Sequence, residues 1–100
     1  MAREVILTPL AEINYEGVVK YLVNNWSTRV AENFITRFEK ICELLVENPG
    51  IFPYYNKAQK IQKCVLTKHN VIYFKSTPNA IKILTIFDTR QNPDKLAAII

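Results

Sequence analysis

Lys57, Lys60, Lys63, Lys68, His69, Lys75, Lys82 and Arg90 fall within residues 57–90 of this 100-residue chain. Cations this dense suit an anionic partner, either a phosphate backbone or an acidic protein segment. His69 is the one side chain of the set whose ordinary pKa permits acid or base work near neutrality. It could equally be a hairpin-turn residue. Arg90 follows Asp88 and Thr89, and it could clamp a phosphate or pair with Asp88. Metal-free RNA cleavage needs a cation against the charged phosphorane and two groups that move protons. The cations are present, but no evident pair of proton movers accompanies them.

Other chemistries find less support. There is no glycine-rich phosphate loop and no Gly-x-Ser-x-Gly. Glu39, Glu43 and Glu47 share a helix face at four-residue spacing and read as solvated charges. Cys42 and Cys64 lie in apolar stretches without a Cys-x-x-Cys spacing, which predicts buried free thiols. With one His, neither a metal nor a cofactor is expected. No signal peptide and no membrane-length apolar run are read from the sequence, so a cytoplasmic, membrane-independent protein is expected.

The halves differ in charge. Residues 1–50 hold five Lys/Arg and seven Asp/Glu, a net of −2, whereas residues 51–100 hold eight Lys/Arg and two Asp, a net of +6. A hydrophobic fraction of 49% suffices for one core and excludes global disorder. One domain over residues 1–100 is expected.

The elements that must position the cations follow from periodicity. Arg3–Leu7 reads as a strand. Thr8 caps a helix with Pro9 at its first position, and Leu10, Ile13, Gly17, Val18, Tyr21 and Leu22 recur at helical spacing. Asn24-Asn25 stops it. A second helix begins at Ser27 or Thr28, carries the stripe Val30, Phe34, Phe38, Ile41 and Leu45, and ends at Asn48-Pro49-Gly50. The short link predicts an antiparallel helical hairpin. Pro49–Gln59 reads as a loop whose Phe52, Tyr54 and Tyr55 pack over a core edge. Ile61–Leu66, Val71–Lys75 and Ile81–Asp88 read as strands of a three-stranded antiparallel meander, with the first strand at a sheet edge. Asn92-Pro93 starts a short turn, and Leu96–Ile100 is an apolar tail for core packing or a partner. The expected class is α+β, with both helices on one sheet face and the basic residues on the other.

This order of elements, with the phrases Thr8-Pro9-Leu10-Ala11-Glu12-Ile13, Phe34/Phe38/Leu44/Leu45 before Asn48-Pro49, His69-Asn70-Val71-Ile72-Tyr73-Phe74 and Ile81 through Asp88-Thr89-Arg90-Gln91-Asn92-Pro93, resembles the RelE/ParE toxin superfamily. These are the toxins of type II toxin–antitoxin and plasmid-stabilisation systems. The resemblance spans nearly the whole chain, and the last segment is its most specific part. It implies a cognate antitoxin, no cofactor, and a homodimer or toxin–antitoxin hetero-oligomer. It also implies one of two targets: DNA gyrase for ParE-like members, or mRNA at the ribosome for RelE-like endoribonucleases. Arg90 matches the arginine after the last strand, while Asn70, beside His69, stands where RelE-like nucleases carry a second arginine. Asp88 stands where some carry His. The match therefore leans toward gyrase inhibition. His69 and Arg90 are the catalytic candidates if the chain is a nuclease. Lys57, Lys60, Lys63, Lys68, Lys82 and Arg90 are the candidates for binding a target or nucleic acid.

Overall fold

The computed structural model describes residues 3–100; Met1 and Ala2 lie outside them. Nine elements follow in order: β1 (Glu4–Leu7), α1 (Pro9–Asn25), α2 (Thr28–Glu47), a 3₁₀ turn (Pro49–Ile51), β2 (Tyr54–Asn56), β3 (Ile61–Thr67), β4 (Asn70–Ser76), β5 (Ala80–Asp88) and α3 (Pro93–Ile99). The helix starts obey their capping residues. The Thr8 hydroxyl accepts from the Ala11 N–H at 3.1 Å, and the Ser27 hydroxyl accepts from the Val30 N–H at 3.1 Å. Tyr15 of α1 lies against Phe34 and Phe38 of α2, with ring centroids 5.8 and 4.8 Å apart, so the two helices run antiparallel as expected.

The sheet has five strands in the order β1-β5-β4-β3-β2. The expected meander is β3-β4-β5, antiparallel throughout. β1 lies at the edge and pairs parallel with β5, because two helices separate it from the meander. The loop expected over Pro49–Gln59 is more ordered than its sequence suggests. It holds the 3₁₀ turn and the three-residue strand β2, paired antiparallel with β3. Buried Gln62 fixes this segment. Its Nε2 donates to the carbonyls of Pro49 (2.7 Å) and Phe52 (3.1 Å), and its Oε1 accepts from the Ser76 hydroxyl (3.0 Å). An amide buried with such partners costs little; unpartnered, it would destabilise.

Two irregularities in the ladders matter for the site. Leu66 is an extra residue in β3 between Val65 and Thr67, and Leu84 is an extra residue in β5 opposite the Tyr73–Phe74 step. Each bulge frees a carbonyl from the ladder, and each carbonyl is taken by a side chain from the helical layer. Arg37 of α2 donates its Nε–H to the Leu66 oxygen, and the Thr8 hydroxyl donates to the Leu84 oxygen at 2.7 Å. Asn14 of α1 adds a third tie: its Oδ1 accepts from the Thr85 hydroxyl (2.6 Å) and the Ile86 N–H (3.1 Å).

Between helices and sheet lies the main core, built on Phe34, Phe38, Leu45, Leu66, Ile72, Phe74, Ile81 and Ile83. Fully burying side chains of this size stabilises by about 1.5–3 kcal/mol each. Cys64 is buried and Cys42 half-buried, both as free thiols. Burial pushes the Cys42 thiol up to about 11, with smaller contributions from Cys64 and Glu39, and burial also raises Cys64. Both stay protonated and unreactive at neutral pH.

The opposite sheet face departs from expectation. It is not simply a basic surface, because residues 93–99 fold into α3 and place Leu96 on Ile61, Val71, Tyr73 and Phe87. Asn92 caps this helix through its Oδ1, which accepts from the Asp94 N–H at 2.9 Å. Of the two roles open to the apolar tail, Leu96 takes core packing, while Ile99 stays 43% exposed. Among the described residues, no helix is long and apolar enough to cross a membrane.

Candidate functional site

α1 presents more apolar surface than the sheet can cover. Ala11 is buried, and Tyr15, Val18, Val19 and Leu22 are half-buried in the main core. Ile13, Gly17 and Tyr21, expected in the same core stripe, turn instead toward solvent, with Ile13 66% exposed. The reason is angular: α1 is apolar around most of its circumference, and one sheet covers only one side of a helix. Trp26, which closes α1, is 70% exposed, and Val30 at the start of α2 is exposed as well.

These residues form one wall of a cleft of about 730 Å³ between the helical hairpin and the ends of β3, β4 and β5. The other wall brings together Arg37, Thr67, His69, Asn70, Asp88 and Arg90. Backbone bonds make that wall. The Thr89 N–H donates to the His69 carbonyl at 2.9 Å, which holds the β3–β4 turn beside the end of β5. Thr67 organises the turn: its hydroxyl oxygen accepts from the His69 N–H (3.3 Å) and from Asn70 Nδ2 (2.8 Å).

Arg90 is engaged. It grips Asp88 with Nε to Oδ1 at 3.0 Å and Nη2 to Oδ2 at 2.7 Å, and its own N–H donates to Oδ1 at 2.9 Å. The two roles left open by the sequence thus resolve toward pairing. The Arg90 hydrogen bond holds the Asp88 carboxyl below the usual carboxylate range; desolvation opposes this, and the charges of Arg90 and His69 add smaller pulls. The bidentate pair fixes the guanidinium geometrically and cancels its charge within the cleft. Arg37, the other cation there, is held through the Leu66 carbonyl and so keeps its charge uncompensated.

The sequence-predicted residues therefore divide. His69 and Arg90 share the cleft. Lys68 is exposed at the tip of the β3–β4 turn, and Lys57 and Lys60 are exposed in the β2–β3 connection. Lys63 on β3 and Lys82 on β5 are exposed on the far side of the sheet, as their place in apolar runs predicts. No single surface gathers all the candidates. Arg37, Tyr21, Trp26 and Ile13 were not singled out as site residues by sequence. Arg37 looks like an ordinary polar position of α2, and only the β3 bulge brings Leu66 to it. Among the described residues, no group of three His, Cys, Asp or Glu could hold a metal.

A family model described as the ParE toxin of the type II toxin–antitoxin system, parDE, matches residues 5–93. The chain belongs to the ParE toxin family. It is a toxin component of a type II toxin–antitoxin system, and the match takes in the hairpin, the meander and the cleft between them. No curated protein matched the sequence as a relative. Solved structures share the ParE-family fold. One is a chromosomal ParDE toxin–antitoxin system from P. aeruginosa, with a TM-score of 0.71 at 12% identity, covering 86% of this chain and 95% of that one. A YoeB dimer from Staphylococcus aureus aligns with a TM-score of 0.62 at 12% identity, covering 85% of this chain and 94% of that one. The E. coli DinJ-YafQ toxin–antitoxin complex aligns with a TM-score of 0.60 at 9% identity, covering 90% and 96%. At such identities the likeness is one of fold. It confirms the α+β architecture expected from the sequence.

Proposed function

We propose that this toxin acts by binding a protein, in the manner of ParE-like inhibition of DNA gyrase, and that the cleft beneath the helical hairpin is its contact surface. One observation carries the reading. The cleft is walled by exposed apolar side chains, Ile13, Tyr21, Trp26 and Val30, while its most prominent cation, Arg90, is already neutralised by Asp88. Exposed aromatic and aliphatic anchors with an arginine nearby are what a protein hot spot requires. A phosphate backbone would instead call for more free charge than Arg37 alone supplies there. A cognate antitoxin covering the same apolar wall would exclude the target. Solved relatives in complex with antitoxins support such a partner, and a relative solved as a dimer supports self-association as a second use of exposed apolar surface.

The alternative is a RelE-like, ribosome-dependent mRNA endoribonuclease. It is favoured by one feature: His69, Tyr21, Arg37 and Arg90 line one cleft. His69 would take the 2′-hydroxyl proton, Tyr21 would return one to the leaving 5′ oxygen, and the arginines would stabilise the phosphorane. That route requires Arg90 to exchange Asp88 for a phosphate.

Purified gyrase tests the main reading. The wild-type toxin inhibits supercoiling, and Ile13→Asp or Trp26→Ala weakens inhibition by roughly 30-fold, the effect of losing an anchor worth about 2 kcal/mol. Arg90→Ala and His69→Ala leave it within a few-fold. Supercoiling untouched by wild-type toxin would remove the gyrase assignment.

A further inference from the structure

The Asp88–Arg90 pair does more than quench a charge, because its geometry is that of an occupied anion site. The Asp88 carboxylate accepts from Arg90 Nε at 3.0 Å and from Nη2 at 2.7 Å, and the Arg90 main-chain N–H donates to the same carboxylate at 2.9 Å. That guanidinium edge is the planar fork with which arginine takes two oxygens of a carboxylate or of a phosphate alike. The converging main-chain N–H completes a cradle for one oxyanion. The cradle lies on the wall of the cleft, beside Arg37 and His69. Its occupant in the folded chain is Asp88.

Local structure explains only part of this arrangement. Asp88 ends β5, and the Gln91 N–H donates to its carbonyl at 3.0 Å, so residues 88–91 form a turn. An aspartate at the first position of such a turn commonly accepts from the N–H two residues on, as Oδ1 does here. Asparagine would serve that turn equally. The turn has no use for Oδ2 or for the negative charge, yet Oδ2 makes the shortest bond of the pair. Fold stability gives no better account: the Arg90 and Asp88 side chains are 57% and 29% exposed, and an ion pair so open to water holds weakly. The consequence that remains is electrostatic. The cleft walls carry Arg37, Arg90 and Asp88, a formal net of +1 from two arginines and one aspartate. Without the Asp88 charge, both arginines would be open to an anion.

We infer that Asp88 is the specificity-determining residue of the cleft: an internal carboxylate that fills a phosphate-type subsite on Arg90 and so keeps phosphorylated ligands off a surface used by protein. The inference rests on the protein-binding reading of the cleft. An incoming phosphate must displace a tethered competitor at high effective concentration, and must approach a like charge to do so. An apolar protein segment meets neither obstacle, because Ile13, Tyr21, Trp26 and Val30 stay open beside the pair. Discrimination here comes from a charge set against the wrong ligand, in addition to contacts offered to the right one.

The test is calorimetric titration of the full chain with inorganic pyrophosphate at constant ionic strength. Asp88→Asn keeps the turn acceptor but removes the charge, and it binds pyrophosphate about tenfold or more tighter than wild type, the scale of one charge-assisted fork set free. Asp88→Glu keeps a carboxylate within reach of Arg90 and stays near wild type. Adding Arg90→Gln to Asp88→Asn abolishes the gain. Binding by Asp88→Asn no tighter than wild type would overturn the proposal, as would a gain that survives Arg90→Gln. An equal gain in Asp88→Glu would trace the effect to a disturbed turn and overturn it too. Gyrase does not enter this titration. A wild-type toxin that leaves gyrase untouched would remove the protein-binding reading while the masked subsite stayed measurable; a missing gain in Asp88→Asn would remove the mask and leave gyrase inhibition standing.

Discussion

The two helices of the hairpin use their apolar residues differently. α2 buries Ala31, Phe34, Phe38 and Leu45 against the sheet and keeps Glu39, Glu43 and Glu47 in water. α1 fully buries Ala11 and leaves Ile13 and Tyr21 exposed. α2 is thus a two-sided helix whose apolar stripe from Phe34 to Leu45 is consumed by folding, with Val30 at its first turn left exposed in the cleft. α1 is apolar on two sides, and only one is needed for the fold. The difference locates function: side chains that folding leaves uncovered can be covered by a partner, and those of α1 face the cleft that holds His69, Arg37 and Arg90.

The contrast predicts opposite responses to truncation. Leu45→Ala empties a fully buried site and should cost about 2–5 kcal/mol. Ile13→Ala, two-thirds exposed, should stay within about 0.5 kcal/mol while reducing toxicity. Urea melts of both variants, with growth assays of the second, would break the comparison if Ile13→Ala proved the more destabilising.

The caps sharpen it at a smaller scale. Thr8 accepts from the first turn of α1 and also donates to the bulged Leu84 carbonyl, whereas Ser27 only caps α2. Thr8→Ala should therefore cost about 1–2 kcal/mol and Ser27→Ala about 0.5–1 kcal/mol, measured by the same melts. Equal costs would mean that the tie from α1 to β5 contributes nothing.

The smallest effect concerns the cleft's ion pair. The folded-state pKa of Asp88 lies below its unfolded value. Its contribution to stability is therefore complete above about pH 4, the ordinary aspartate pKa, and is lost as pH falls through the depressed folded value. The pair is largely exposed, so the effect is modest. Wild type should melt slightly higher than Asp88→Asn at pH 6, and the gap should close as the pH falls below the depressed folded-state value. A gap that persists in acid would show that Asp88 acts through packing or backbone geometry.

Much of the architecture was legible from spacing. The stripe of α2, the caps at Thr8 and Ser27, and the three meander strands follow from periodicities and capping residues that local physics enforces. β2 and α3 were less legible. Tyr54–Asn56 is too short for an alternation to declare itself, and its pairing depends on the distant anchor Gln62. Leu96–Ile100 shows apolar character that suits a tail or a helix alike until Asn92 caps it. The cleft was half legible. His69 and Arg90 are chemically conspicuous residues, but Ile13 and Tyr21 carry the same helical spacing whether their own sheet or a partner covers them. That ambiguity is resolved in three dimensions, because the sheet is too narrow to cover both sides of α1. The lysines mislead for a related reason: alternation assigns Lys63 and Lys82 to solvent but does not separate the far face from the turn at Lys68.

The central claim is that the cleft serves protein binding rather than RNA cleavage. The most direct measurement is inducible expression without antitoxin, with mRNA 5′ ends and plasmid supercoiling followed in the same cultures within minutes, for wild type and for the His69→Ala, Arg90→Ala double variant. The account predicts altered supercoiling, no new codon-phased mRNA ends, and growth arrest that survives the double substitution. New mRNA ends that vanish with His69 and Arg90, on a background of normal supercoiling, would contradict it.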